Sequence, residues 1–453
     1  LLSVFPGGCG IEAAESIGEG TAEGNVLEML GALVDKSLLR QYLDADGAVR
    51  FVMFETIRSF ALEMLEESGE AEWVRDYHAT FYSRFAEESD QYLIGPTQAV
   101  ALKRLETEHA NLRAAISWCV RRNDADTALR VAGSLWRFWN LTGRFSEGRA
   151  LLAKVVGSEE GGASLRMRAF YGAGVLADSQ GDFEEAQRHF SRMLELARVE
   201  GSEWGVANAT NNLGIIALRR GDLAAAESAF EKVFQSWSEL GNEMAAALSL
   251  QNLGNVAREA EDLPLAKRRY EEALAGFRRL GDKRGEAWSL DLIGDIERRR
   301  GNLPEARELI EESLESFIRI NDHWAVASVM ADLGNVNREM GELEEARALL
   351  EESLLIFREV SDLKSCAAVL DMIAVLSGVG GEYERTVTIA AAAVAIRRSI
   401  GALAPSRRGS LDEYLIEARE QIGDAAADEA WRRGAELSLE QTIRYAETGS
   451  AGL

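Results

Sequence analysis

A period of 40 constrains this chain more than any other feature. Gly181-Asp182-Phe183, Gly221-Asp222-Leu223, Glu261-Asp262-Leu263, Gly301-Asn302-Leu303, Gly341-Glu342-Leu343 and Gly381-Glu382-Tyr383 return at intervals of 40 residues. Three residues after each apolar member stands a small one: Ala186, Ala226, Ala266, Ala306, Ala346 and Thr386. Four further on stands Phe190, Phe230, Tyr270, Ile310, Leu350 and finally Ala390. Upstream in each unit, Leu213, Leu253, Ile293, Leu333 and Ile373 share one column. Gly174, Gly214, Gly254, Gly294, Gly334 and Ala374 fill the next. A period of this length is the mark of a stacked array, in which no unit buries its faces alone.

The residue types give the unit its form. Small residues at fixed places let two helix axes approach, and a large apolar residue one turn away fills the space between hairpins. The Gly-Asp/Asn turn ends one helix in a left-handed cap and offers a side-chain cap to the next. A second break at Gly201, Gly241, Gly281, Asn321, Ser361 and Gly401 separates the units. Each unit is therefore helix A, turn, helix B, longer turn. An eroded copy comes first: helix 124–141, Gly143-Arg144-Phe145, helix 146–156. That makes seven hairpins over 124–400.

Composition agrees. Only 5 prolines interrupt the 453 residues, and helix formers dominate. A formal net charge of −25 repels phosphate backbones and anionic membranes, so neither nucleic acid nor membrane is expected as a direct partner. Cys9, Cys119 and Cys366 are odd in number and far apart, which suits buried free thiols in a reducing cytoplasm. His78, His109, His189 and His323 show no ligand spacing, so neither metal nor cofactor is expected. The carboxylate pairs Glu184-Glu185 and Glu344-Glu345 open B helices, where the helix dipole explains them, and no nucleophile–base pair or phosphate loop breaks the pattern. An enzyme is not expected.

The Leu-Gly pair, the Ala 12 residues after that Gly and the large apolar residue four later resemble the tetratricopeptide repeat. The fold class expected is all-α: a right-handed tetratricopeptide-type α-solenoid. In the resembling repeats, helix A lines the concave groove. Carried onto this sequence, that places Asn211, Gln251, Asp291 and Asp371 in one row of the groove and Asn212, Asn252 and Asp332 in another. Asn255, Asp295 and Asn335 form a third, with Arg258, Arg298 and Arg338 as the fourth. Stacked amides and acids beside an arginine row could clamp an extended peptide, the arginines pairing its carboxylates, with Trp288 as a flat apolar patch. The same columns also suit plain ion pairs and backbone caps between neighbouring helices. The aromatic group Trp136, Phe138, Trp139 and Phe145 reads as core packing rather than a ligand box.

The flanks are irregular. Short helical stretches (Ile11 to Ile17, Asn25 to Asp35) lead to Ser37-Leu38-Leu39-Arg40, a turn at Asp44-Ala45-Asp46-Gly47, the stretch Val49-Arg50-Phe51-Val52-Met53 and helix Glu55–Glu67. Two short strands about an Asp/Gly turn, beside helices, predict a winged helix. Nothing between residues 18 and 35 offers a basic recognition face, so a packing or regulatory module is expected over a DNA reader. The expected divisions are 1–70 winged helix, 71–123 helical linker, 124–400 repeat array and 401–453 helical cap.

Leu2-Ser3-Val4-Phe5-Pro6-Gly7-Gly8, the stretch Leu30 to Leu39, Phe54-Glu55-Thr56-Ile57-Arg58 and Glu106-Thr107-Glu108-His109-Ala110-Asn111-Leu112-Arg113 resemble the region after the nucleotide-binding domain of bacterial STAND-class signalling ATPases and SARP- or LuxR-type regulators. Ala430-Trp431-Arg432-Arg433-Gly434-Ala435-Glu436-Leu437-Ser438-Leu439-Glu440 resembles the end of their sensor arrays. The resemblance implies a sensor of a protein or peptide effector in signal transduction and transcription regulation, docked to an ATPase domain of the same protein. No G-x-x-x-x-G-K-[S/T] loop occurs here, and the start at Leu1 reads as a piece of something longer. The rival reading is a scaffold for self-association or intramolecular docking without an external effector.

Overall fold

The computed structural model describes residues 1–18, 25–44, 47–93, 97–401 and 410–448. They fall into two compact units, Leu1–Phe138 with Glu147–Ala173, and Trp139–Ser146 with Gly174–Leu453.

The first unit holds the one sheet among the described residues, three-stranded in the order β1-β3-β2, all antiparallel: β1 (Cys9–Gly10), β2 (Arg40–Leu43) and β3 (Val49–Val52). Helices Ile11–Gly18 and Val26–Asp35 precede the hairpin and Glu55–Glu67 follows it. This is the winged helix expected, with two differences. The first wing strand begins at Arg40 rather than Ser37, because the Leu38 and Leu39 amides still close on the Leu33 carbonyl and Ser37 turns through φ 60°. They complete the helix cap and are not free to pair. Strand β1, only two residues long, has no periodicity by which a sequence could show it. Ala45 and Asp46 of the expected turn, and 19–24 of the segment scanned for basic residues, lie outside the described residues.

In the same unit, long helices Ala71–Gln91 and Gln98–Arg122 pack with the winged helix around a buried polar knot. Glu108 is the hub. Its Oε1 pairs with Arg50 of β3, and its Oε2 accepts from Tyr82 Oη (2.6 Å) and Asn111 Nδ2 (2.6 Å). Asn111 Nδ2 also donates to the Gly8 carbonyl at 2.9 Å. One stretch of sequence thus ties β3, the β1 approach and two helices together. Both carboxylate oxygens have donors, as a buried charge requires.

The seven helix pairs follow the period, from Ala125–Leu141/Phe145–Val156 and Ala163–Ser179/Phe183–Val199 to Leu363–Val379/Tyr383–Ser399. The glycine column does what the sequence requires of it. A Cβ at Gly174 would lie 2.6 Å from the Phe190 ring, at Gly214 2.8 Å from Phe230, and at Gly254 2.4 Å from Tyr270. Gly294 meets Ile310 at 2.6 Å and Gly334 meets Leu350 at 3.0 Å in the same way. Where the column turns to Ala374 its large partner shrinks to Ala390, both fully buried. The exchange keeps the seam's volume roughly constant, which is how a packed core tolerates substitution.

The turns are equally regular, and most breaks carry Gly with positive φ. Glu261, Asn321 and Ser361 adopt the same left-handed conformation at φ 57–59° without being glycine. Asp182, Asp222 and Asp262 cap their B helices through the amides of Glu185, Ala225 and Leu265. Glu342 and Glu382 make no cap bond and instead pair with Arg307 (2.6 Å) and Arg347 (2.8 Å).

Within the second unit the array returns on itself. A Cβ at Gly143 would come 2.8 Å from Ile400, and one at Gly401 2.7 Å from Gln180. Helices Ser410–Ile422, Asp424–Glu436 and Leu439–Thr448 cover the last hairpin. Gly434 presses its backbone on Thr388, whose carbonyl would lie 2.1 Å from an added Cβ, so the glycine of the C-terminal motif is a contact point.

Trp136, Phe138, Trp139 and Phe145 are all buried. All three cysteines are free and buried, and burial pushes each thiol up to about 12. No described helix is long and apolar enough to cross a membrane, and the described residues hold no cluster suited to a metal ion.

Candidate functional site

A helices Glu243–Glu259, Lys283–Arg299, His323–Met340 and Leu363–Val379 touch one another in turn from hairpin to hairpin. Glu203–Arg219 reaches the first of them through Asn211 and Asn252. These contacts place the A helices along the inner side of the array. Helices Glu203–Arg219, Glu243–Glu259, Lys283–Arg299 and His323–Met340 carry the polar rows. The period sets the same side chains one above another, and neighbouring helices bridge through them.

The rows divide into an amide half and an acidic half. In the first, Asn252 Nδ2 donates to Asn211 Oδ1 at 2.9 Å, and Gln251 Nε2 to Ser289 Oγ at 2.9 Å. Tyr270 Oη donates to Asn255 Oδ1 at 2.8 Å. Asn212 turns back and donates to the Asn208 carbonyl of its own helix at 2.8 Å. Beside these amides lies a cavity of about 310 Å³, lined among others by Trp204, Asn208, Asn211, Trp237, Leu248 and Asn252. Trp204 is 62% exposed and Leu248 48%, so an indole and an isobutyl group face solvent next to half-buried amides.

The acidic half is crowded. Arg298 bonds Asp295 at 2.7 Å and Glu339 at 2.7 Å. Arg258 reaches Asp295 at 3.5 Å and Glu259 at 3.4 Å; Arg299 reaches Asp295 at 3.1 Å. Arg338 pairs with Glu339 at 3.2 Å. Three guanidinium groups hold the Asp295 carboxyl below its ordinary range despite its burial. Asp291 is the opposite case. It is 6% exposed, and its Oδ1 has no hydrogen-bond partner. Burial pushes it well above the carboxylate range, and Asp332 and Asp295 push it further. Asp332, half-buried on the next helix, is pushed up to about 7 by burial and by Asp295.

The structure joins Asn211 with Asn252, and sets Arg258, Asp295 and Arg298 in one charged group with Asp291 and Asp332, to which Arg338 is linked through Glu339; Asn335 lies half-buried on the same helix as Arg338. Trp288 goes elsewhere: it packs on Phe317 (4.9 Å between centroids) and Trp324 (6.0 Å), in the seam between hairpins. Sequence columns show which face a residue shares but not its tilt, and an indole beside a buried Phe turns toward it. Trp204 and Leu248 were the residues not singled out. They sit apolar and exposed on their A helices, as does Met244 beside Leu248, and such exposed apolar residues are the available signal.

On the winged helix, Val26–Asp35 contains no lysine or arginine and exposes Leu27 and Met29 at 48% and 41%. A second cavity of about 550 Å³ adjoins it, lined by apolar side chains including Leu33, Ile57, Phe60 and Met64.

Comparison with known proteins fits this geometry. Residues 165–239, 243–319 and 284–359 match the tetratricopeptide repeat family, and residues 1–66 match the winged helix-turn-helix domain. The chain is 36% identical over 140 residues to HTH-type transcriptional regulators of Mycobacterium bovis and Mycobacterium tuberculosis; the match spans 30% of this chain and 16% of theirs. Among solved structures, a signal transduction ATPase with numerous domains (STAND) and a tetratricopeptide repeat sensor, from Pyrococcus horikoshii, is similar at TM-score 0.54. It is 16% identical, with 96% of this chain and 64% of that one covered. A Rap protein complexed with Competence and Sporulation Factor is similar at TM-score 0.52 and 11% identity, covering 81% of this chain and 99% of that one. At these identities the likeness is one of fold. The chain carries tetratricopeptide repeats behind a winged helix-turn-helix domain.

Proposed function

We propose that the inner face of the array binds an extended peptide or protein segment, and that the chain is the effector-sensing arm of a STAND-class transcriptional regulator whose ATPase lies outside these residues. The observation that carries the reading is the cavity between A helices Glu203–Arg219 and Glu243–Glu259. It sets exposed Trp204 and Leu248 beside the amides of Asn208, Asn211 and Asn252, apolar anchor next to backbone-reading groups. An extended peptide needs that combination: side-chain pockets for affinity and amide groups to take up its own N–H and C=O. Repeat solenoids present such faces because the same position recurs on each helix. The Rap protein of similar fold, solved as a complex with Competence and Sporulation Factor, and the tetratricopeptide repeat sensor of the archaeal ATPase point the same way.

The arm passes occupancy on by making one arrangement of the hairpins cheaper than another, since a ligand shifts an equilibrium by its differential affinity. The winged helix, with apolar Leu27 and Met29 exposed and no base on its second helix, is read as a docking module for another domain rather than a DNA reader.

The test is a peptide-display selection on the full chain, followed by affinities for Trp204→Ala and Asn252→Ala. The expected result is recovered peptides with micromolar or tighter affinity, weakened about ten-fold or more by either substitution, with helicity unchanged. If nothing is recovered while the chain self-associates in sedimentation, the rival scaffold reading replaces this one.

A further inference from the structure

The arginines of the inner face are already engaged by the protein's own carboxylates. Arg258, Arg298, Arg299 and Arg338 all end on Asp295, Glu259 or Glu339, as the ion pairs above describe. Each is held by at least one carboxylate, while Arg258 Nε and Arg338 Nε keep no hydrogen-bond partner. The acids outnumber these bases. Asp291 lies buried, with Oδ1 unpaired and with Asp332 and Asp295 as neighbours; among the charges acting on it only Arg258 is attractive. Asp332 has the same Asp295 against it, with Arg298 and Arg258 as its favourable neighbours. Five carboxylates (Asp291, Asp295, Asp332, Glu259, Glu339) thus share four guanidinium groups, in a chain of net charge −25. An acidic ligand would meet repulsion here, and a cation would complete the set.

We propose that Asp291 and Asp332 form the receptor for a lysine or arginine side chain of the bound peptide. The inference rests on the inner face being a peptide groove and names the charge its ligand carries. A guanidinium or ammonium seated between the two carboxylates supplies Asp291 Oδ1 with its missing donor and also relieves the acid–acid repulsion, a pair of gains that an uncharged residue cannot offer together. In the unliganded protein the same site is tolerated by keeping a proton on the pair.

The fold also sets the spacing. The cavity at Trp204 begins on helix Glu203–Arg219, and Asp291 lies on helix Lys283–Arg299, two A helices further on. With helix axes about 8–10 Å apart and about 3.4 Å per extended residue, an apolar anchor and the basic residue stand about five to six residues apart.

The experiment uses the full chain and three pools of short fluorescent peptides, each with a fixed leucine and, about five residues away, arginine, norleucine or glutamate. Fluorescence anisotropy should show the arginine pool binding about ten-fold tighter than the norleucine pool and the glutamate pool weakest. Asp291→Asn with Asp332→Asn should erase the arginine advantage and leave norleucine-pool affinity as it was. Arg258→Gln, which removes a competing cation, should widen the advantage. If the double variant does not fold, Asp332→Asn alone and the salt dependence of the wild type replace it; arginine-pool affinity should fall with salt and norleucine-pool affinity should not. Equal binding of the arginine and norleucine pools overturns the cation receptor while leaving the groove intact. Preference for glutamate overturns it in favour of the arginine row. No binding by any pool overturns the groove and the receptor together.

Discussion

Glu108 and Asp291 are both buried carboxylates, and they are treated in opposite ways. In the N-terminal unit Glu108 receives Arg50, Tyr82 and Asn111, so both its oxygens are satisfied. On the inner face of the array Asp291 keeps an oxygen without a donor and faces two other acids. Burying a charge is tolerable only when it is paired and hydrogen-bonded. The first carboxylate therefore holds the fold together, and the second costs the fold something. A satisfied knot marks a joint, and the cost carried by Asp291 is what the proposed cation receptor would recover on binding.

Removing each carboxylate breaks or upholds that contrast most sharply. Glu108→Ala leaves Arg50 buried without its counter-charge and should cost about 3–5 kcal/mol by urea unfolding, with the loss centred on the N-terminal unit. Asp291→Asn should instead stabilise the chain at pH 8 by about 1–3 kcal/mol, because an unsatisfied ionisable group gives way to a neutral amide. A loss on Asp291→Asn matching that of Glu108→Ala would erase the difference.

The contrast has a pH signature. Asp291 and Asp332 hold their protons in the folded state at pH values where the unfolded chain, with carboxyl values of roughly 3.9, has released them. The native state then binds more protons, so their contribution to stability falls as pH rises from that value, through about 7 for Asp332, and levels off above. Asp332→Asn should flatten that fall by an amount on the order of 1 kcal/mol between pH 5 and pH 8, measured by urea titrations at both. A control outside both sites sharpens the reading. Glu261 stands left-handed at φ 59° where neighbouring repeats carry glycine, so Glu261→Gly should gain about 1 kcal/mol without changing pH dependence or peptide binding.

Much of this was legible in the sequence, and the boundary follows the physics. The Gly–large residue columns predicted the hairpins, because a period fixes which side chains meet at close range. The structure adds that Ala374 and Ala390 change together, keeping the seam filled. The wing hairpin was visible, but its first strand slid from Ser37 to Arg40 because the Leu38 and Leu39 amides were already bound to Leu33. The polar rows were visible too, but not how their charges pair. Arg298 finds Glu339 across 41 positions, on the neighbouring A helix and just outside the chosen columns, so the row that looked like an anion clamp is neutralised from the side. Trp288 shows the same limit: its column placed it on helix A, while Phe317 and Trp324 decided which way it faces.

The central claim, that the inner face of the A helices holds an extended segment, is tested most directly by photo-crosslinking. A peptide selected on the full chain, carrying a diazirine in place of its apolar anchor, is irradiated in complex and the adducts are mapped by mass spectrometry. The account predicts adducts on the A helices about Trp204, Leu248 and Asn252, reaching toward Asp291 and Asp332 when the label is moved to the basic position. Adducts confined to the B helices or to the winged helix would contradict it.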